Sequence, residues 1–133
     1  MKISIDPEYL LDTNIIIESF RGYEPVSSKV SEWVTNGKIA ISAITLAEFL
    51  SKASKEEEEK INLLISKFGV LPINQTLAEI AGKYRKEFVE KKKKVYLMDC
   101  LIAATAKLYN LKLITRNVKD YPMKDIEVIN PGT

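Results

Sequence analysis

The sequence predicts an α/β protein: a three-layer α/β/α sandwich around a central parallel sheet of about five strands. Three observations predict it. Short apolar runs of strand length alternate with longer stretches whose apolar residues recur at helical spacing. Such alternation calls for parallel strands joined by crossover helices on both faces of a sheet. A chain of 133 residues with 46% hydrophobic composition suffices for one core and is too short for two ordinary ones, so residues 1–133 read as a single domain.

The elements follow in order. "EYLL" (8–11) reads as a short buried strand, and "NIIIESFRG" behind it as a helix that Gly22 stops. "PVSSKVSEWVTNG" begins with Pro25, suited to a first helical turn, and ends at Asn36-Gly37; Val26, Val30, Trp33 and Val34 share a face. "KIAIS" (38–42) is the next strand and "TLAEFLSKAS" the next helix. "EEEEKINLLISKF" is amphipathic through Ile61, Leu64, Ile65 and Phe68, and "GVLPI" (69–73) reads as a further short strand. A long helix runs from about Gln75 to Lys92, with Leu77, Ile80, Ala81, Tyr84 and Phe88 inward. "LMDCLIAATAKLYN" is apolar nearly all round, so its helix should be buried on most sides. "KLITRN" and "IEVIN" (126–130) complete the set of strands.

Composition removes several function classes. Histidine is absent, which excludes Ser-His-Asp and Cys-His catalysis and His-based zinc sites. Cys100 is the single cysteine; it excludes an internal disulfide and a multi-thiolate zinc site, and reads as a small buried apolar residue. No apolar stretch reaches bilayer length, and "MKISIDPEYL" has an acid and a proline where a signal peptide keeps an apolar core. A cytoplasmic protein without a membrane segment is expected. A net charge of +2 announces no polyanion partner through a global field, so binding rests on local patches. The runs "KEEEEK" (55–60) and "EKKKK" (90–94) read first as solvated helix surface or helix ends. Acid and base chemistry therefore falls to carboxylates, lysines, tyrosines or a metal held by oxygen ligands, which favours Mg²⁺ or Mn²⁺.

The topology gives four acids one address. Ligands of a parallel sheet collect at the carboxyl ends of its strands, the edge at which the returning helices begin. Asp12 follows the first strand, and Glu48 lies in the first turns of the helix after the second. Asp99 opens the buried helix, and Asp120 follows the strand "KLITRN". Each has a plain structural explanation. Asp12 suits a helix cap. Thr45-Leu46-Ala47-Glu48 fits a capping box with Glu48 reaching back to the Thr45 backbone. Asp99 suits a helix dipole, and Asp120 a turn. Together they repel one another unless protons or a cation intervene.

"LLDTNIIIE", "ISAITLAEF", "LMDCLIAATA" and "LITRNVKDY" resemble, in order and spacing, the acidic motifs of PIN domains, most closely the small ribonuclease toxins of the VapC type. The resemblance covers nearly the whole chain and implies a PIN-like fold. It further implies a metal-dependent endoribonuclease that cuts RNA with Mg²⁺ or Mn²⁺, a VapB-type antitoxin partner and a homodimer. Asp12, Glu48 and Asp99 match its three well-defined acidic positions. At the fourth, Asn117 stands where many relatives carry aspartate, and Asp120 is the nearby acid. The first acid also lies further from the start than is usual, so the extra N-terminal stretch bears on an edge or an interface.

In this reading Asp12 and Asp99 are the principal metal ligands, Glu48 a ligand or orienter of metal-bound water, and Asp120 a second-metal or outer ligand. Thr13, Thr115 and Asn117 support them by hydrogen bonds. Arg116 is a candidate for a phosphate oxygen, with an exposed, partnerless side chain as the alternative. Arg85, Lys86 and the lysines at 91–94 are candidates for guiding RNA by phosphate contacts. Two other functions stay open on residues alone: another metal-dependent phosphohydrolase, and a non-catalytic PIN-like binding or assembly module. Retention of all the acids favours an enzyme.

Overall fold

The computed structural model describes residues 6–132. Its elements are β1 (Tyr9–Leu11), α1 (Thr13–Phe20), α2 (Val26–Thr35), β2 (Ile39–Ala40), α3 (Ala43–Leu50), α4 (Lys55–Phe68), α5 (Gln75–Glu90), α6 (Leu97–Leu108), β3 (Lys112–Ile114), a 3₁₀ turn (Val118–Asp120) and β4 (Val128–Ile129). The strands form one four-stranded sheet in the order β2-β1-β3-β4. All pairs are parallel, with Leu10 opposite Ala40 and Leu113, and Ile114 opposite both Leu11 and Ile129.

The sheet has four strands where about five were expected. The segment 69–73 contributes only a single bridge, Leu71 to Ser42. Leu71 makes both backbone bonds available to it, its N–H to Ile41 O and its C=O from Ala43 N–H, each 2.9 Å. Gly69 before it has φ +75° as the C-cap of α4, and Pro72 after it has no N–H to give, so the ladder cannot extend either way.

Alternate side chains of these short strands feed two cores, which makes the three layers. Leu10, Ala40 and Leu113 face a core filled by Leu77, Ala81, Tyr84 and Phe88 of α5 and by Cys100, Ile102, Ala103 and Ala106 of α6. Leu11, Ile39, Ile41 and Ile114 face the opposite core with Ile15, Ile16, Val26, Val30, Phe49 and Ile61. The helix α6 is buried on most of its surface, as its all-round apolar sequence requires. Cys100 lies in this core, fully buried and unpaired.

Two local details differ from the sequence reading. Helix α3 starts earlier than a cap at Thr45 would allow: its N-cap is Ser42, whose hydroxyl accepts from Thr45 N–H at 3.0 Å. The proposed box at Thr45–Glu48 is therefore not formed, and Glu48 is free to face elsewhere. A full capping box appears instead at Ser54–Glu57, opening α4. Part of the extra N-terminal stretch, residues 1–5, lies outside the described residues. The part that follows is tied to the sheet's amino edge through Glu8 N–H to Lys38 O and Lys112 N–H to Glu8 O. Among the described residues no helix is long and apolar enough to cross a membrane.

Candidate active site

The sheet order creates the site. From β1 the chain moves to β2 on one side and reaches β3 on the other, so the crevice at the carboxyl ends of β1 and β3 is a topological switch point, the usual place for ligands in such sheets. A cleft of about 330 Å³ opens there, and Asp12, Glu48, Asp99 and Asp120 all line it. The structure thus gathers at one place acids that lie up to 108 residues apart, from Asp12 to Asp120.

Asp12 leaves β1 with its N–H bound to Ile114 O of β3 at 2.9 Å, which fixes its backbone between the two strands. Its side chain is the N-cap of α1, with Oδ1 accepting from Thr13 N–H at 2.8 Å. The other oxygen accepts from the Thr115 hydroxyl at 2.8 Å and from the Tyr121 hydroxyl at 3.1 Å. Cap and site are therefore one and the same carboxylate, 6% exposed. Thr115, fully buried just past β3, also accepts from Asn117 N–H at 3.0 Å. It passes the alignment of the 115–117 backbone directly to Asp12.

Glu48 reaches the cleft from the middle of α3 and accepts from the Thr13 hydroxyl at 3.0 Å. Asp99, in the first turn of α6, has one side-chain partner among the described residues, Tyr121, whose hydroxyl lies 3.3 Å from Oδ1. Burial, followed by the charges of Asp120, Asp12 and Glu48, pushes the Asp99 carboxyl up to about 6, against the lowering influence of the Tyr121 hydroxyl. Burial and the same two acids, Asp12 and Asp99, drive the Tyr121 hydroxyl upward, so it stays protonated and available as a donor. Asp120 closes the 3₁₀ turn at the rim and, like Asn117, is exposed there.

The other sequence candidates separate. Thr13 and Asn117 line the cleft, with Thr115 directly beneath it. Arg116 does not line it. Its Nε and Nη2 fork onto Glu18 at 2.7–3.1 Å, Nη1 lies 3.4 Å from Asn130 Oδ1, and a Cβ placed on Gly132 would fall on the guanidinium. The partnerless alternative is thus corrected: Arg116 clamps the C-terminal segment to α1, and its fork is occupied. Arg85 and Lys86 lie on α5, away from the cleft lining; Lys91 pairs with Glu87 at 2.7 Å, and Lys94 stands 5.6 Å from the Tyr96 ring centre.

Sequence reasoning missed Tyr121, Asn14 and Lys52. Asn14, directly after the Asp12-Thr13 pair, lines the cleft and accepts from Arg116 N–H at 3.3 Å, holding the strand-to-turn connection that follows β3. Lys52 is the cation among the residues lining the cleft. Tyr121 stood in the quoted motif "LITRNVKDY", and an aromatic hydroxyl next to an acid was the available signal.

The donor set fits a hard divalent cation. Its acids offer only oxygen, the cleft is open to water on one side, and burial together with the neighbouring acids keeps Asp99 from ionising readily. Among the described residues no group of three acids already has the geometry to hold a metal ion. Mg²⁺ and Mn²⁺ keep several waters and take one or two carboxylates directly, so the chemistry of the donor set, and not a preformed cage, is what fits them.

Comparison with known proteins agrees with this architecture. The PIN domain family model matches residues 9–124, and the chain belongs to the PIN domain family. Within that family its relatives are of the VapC type. Ribonuclease VapC10 of Mycobacterium tuberculosis is 30% identical over 114 residues, covering 86% of each chain. The tRNA(fMet)-specific endonuclease VapC of Shigella flexneri is 29% identical over 119 residues, covering 86% of this chain and 89% of the relative. Among solved structures, VapBC2 from Rickettsia felis bound to a promoter DNA fragment superposes with a TM-score of 0.77 at 26% identity, over 92% of this chain and 97% of that one. A toxin–antitoxin complex from Klebsiella pneumoniae gives 0.75 at 34% identity, over 93% and 98%.

Proposed function

We propose that this chain is a VapC-type toxin: a metal-dependent endoribonuclease that takes Mg²⁺ or Mn²⁺, cuts RNA and is held in check by a VapB-type antitoxin. The observation that carries the reading is the convergence of Asp12, Glu48, Asp99 and Asp120 on one cleft at the switch point of a PIN fold. Ribonuclease names among the relatives support the choice of RNA over other phosphate esters.

A bound divalent cation would supply Lewis acidity, making water a better nucleophile at neutral pH and offsetting charge on the leaving oxygen. Asp12 and Asp99 would hold it. Asp12 is suited to this because its rotamer is fixed by Thr13, Thr115 and Tyr121 before any ligand arrives. Glu48, tethered by the Thr13 hydroxyl, would orient a water for attack on the phosphodiester. Asp120 at the rim adds charge, and Asn117 offers a neutral carbonyl or amide. Lys52 would meet a phosphate oxygen of the incoming strand, since Arg116 does not line the cleft and its fork faces Glu18.

The antitoxin belongs to the proposal because the solved neighbours include toxin–antitoxin complexes. A homodimer belongs to it because Leu63, Val89 and Ile73 leave apolar surface exposed on or beside α4 and α5, 72%, 55% and 49% respectively. A strict monomer in light scattering at high concentration would reject the dimer. Action in the cytoplasm, where RNA substrates lie, belongs to the same proposal.

The test is cleavage of defined RNA oligonucleotides, with matched DNA and a small phosphate monoester beside them, in Mn²⁺, in Mg²⁺ and in chelator. Internal RNA cuts that need metal and disappear in Asp99→Asn are expected. Cleavage that survives chelation, or hydrolysis of the monoester alone, would overturn the reading.

A further inference from the structure

Asp12 and Asp99 sit on different elements, the end of β1 and the first turn of α6, and their like charges push them apart. Among the described residues a single side chain lies within hydrogen-bond distance of both, its one hydroxyl proton shared between them. The Tyr121 hydroxyl lies 3.1 Å from Asp12 Oδ2 and 3.3 Å from Asp99 Oδ1. We propose that Tyr121 is a positioning residue for this acid pair, holding Asp99 toward Asp12 so that the two carboxylates act on one divalent cation. The identity of that cation rests on the ribonuclease reading above.

The geometry makes the role specific to Asp99. Asp12 is already fixed by Thr13 N–H and by the Thr115 hydroxyl, each at 2.8 Å, and would keep its rotamer without the tyrosine. Asp99 has no such reserve, because Tyr121 is its one side-chain partner among the described residues. The ring cannot drift: it is 4% exposed and packed in the core beneath α5 and α6. Its backbone is fixed as well, since Tyr121 N–H donates to Val118 O at 3.1 Å and closes the 3₁₀ turn that carries Asp120. One residue therefore links the elements bearing Asp12, Asp99 and Asp120. Packing alone does not account for the hydroxyl. A phenyl ring fills the same space, and a buried hydroxyl is tolerated only where it finds partners, which here are the two acids.

The experiment is Tyr121→Phe in the full chain, with Mn²⁺ binding measured by titration calorimetry without RNA and cleavage then followed across a Mn²⁺ series. Loss of a side chain that orients a metal ligand costs about tenfold to a hundredfold in metal affinity, and about tenfold weaker binding is expected. The metal needed for half-maximal cleavage rises in parallel, while the KM for RNA at saturating Mn²⁺ stays unchanged. A Mn²⁺ constant equal to wild type, even with a lowered melting temperature, would reduce Tyr121 to a packing residue and overturn the proposal. Tighter binding would overturn it too, by making the hydroxyl a competitor of the ion. Should the variant fail to fold, the wild-type hydroxyl proton is followed by NMR. A hydroxyl proton resonance that moves as Mg²⁺ is titrated, at the same metal concentrations that move Asp99, supports the role, and one that stays in place while Mg²⁺ binds contradicts it. A wild-type chain that binds Mn²⁺ but cuts no RNA sinks the ribonuclease reading alone. Unchanged Mn²⁺ affinity in the phenylalanine variant sinks the positioning role alone, and a wild-type chain that binds no Mn²⁺ sinks both.

Discussion

Asp12→Asn separates the cap from the catalyst. The carboxylate takes Thr13 N–H on Oδ1 and the hydroxyls of Thr115 and Tyr121 on Oδ2. Asparagine keeps an oxygen for the Thr13 amide and is itself a good N-cap. Its NH₂ group then faces two hydroxyls, each of which can rotate to accept. All three charge-assisted bonds become neutral ones; the cap bond loses little because asparagine caps as well as aspartate, and the two hydroxyl bonds lose about 1 kcal/mol each. Asp99 at the same time loses one of the charges that repel it, which offsets part of that loss. The expected net cost is about 1 kcal/mol, or about 3–5 °C in Tm for a domain of this size. Cleavage falls much further, because removing a ligand charge forfeits about 3 kcal/mol or more of transition-state stabilisation, on the order of 100-fold in rate. The assay pairs a thermal melt with kcat/KM on a defined RNA at saturating Mn²⁺. A variant that melts normally and cleaves within about threefold of wild type would show that Asp12 is only a cap.

The raised Asp99 carboxyl gives a pH signature in the metal-free chain. Its folded value of about 6 lies above the ordinary 3.8, so its contribution to stability is present in full below about pH 4 and is lost as pH rises through 6. The ceiling is about 3 kcal/mol, reduced by solvent in the open cleft. Urea melts between pH 4 and 7 should show wild type losing stability relative to Asp99→Asn, and a pH-independent difference would contradict the burial argument. At the fourth position, Asp120→Asn should raise the metal concentration for half-maximal cleavage, whereas Asn117→Ala mainly lowers the rate; the reverse pattern in a metal titration would exchange their roles. Lys52→Ala should weaken RNA binding and flatten its salt dependence by about one phosphate contact, a slope change of about 0.7 for a single strand, with Mn²⁺ affinity unaltered. An unchanged slope would return Lys52 to the solvated surface.

Much of this arrangement was legible in the sequence because it depends on periodicity and order. The alternation of β1 through β4 with helices, the burial of α6, and the sharing of one edge by Asp12, Glu48, Asp99 and Asp120 all follow from parallel topology. Features that depend on where a side chain points were not legible. Nothing local shows that Arg116 meets Glu18 across 98 residues, or that a hydroxyl on Tyr121 reaches back 109 residues to Asp12. Residues 69–73 have strand composition, but Gly69 and Pro72 limit the segment to one bridging residue, a restriction set by backbone conformation rather than hydropathy. The cap of α3 was misplaced for a related reason. Ser42 and Thr45 both suit an N-cap, and the pairing of Ile41 and Ser42 with Leu71 decides where the extended backbone ends.

Whether the acid cleft is a metal centre is decided by anomalous diffraction from crystals grown with Mn²⁺. A manganese peak is expected inside the cleft, bonded to Asp12 and Asp99 with waters completing its shell, and absent in Asp12→Asn. A cleft without manganese at millimolar Mn²⁺, in a chain that still cuts RNA, would contradict it.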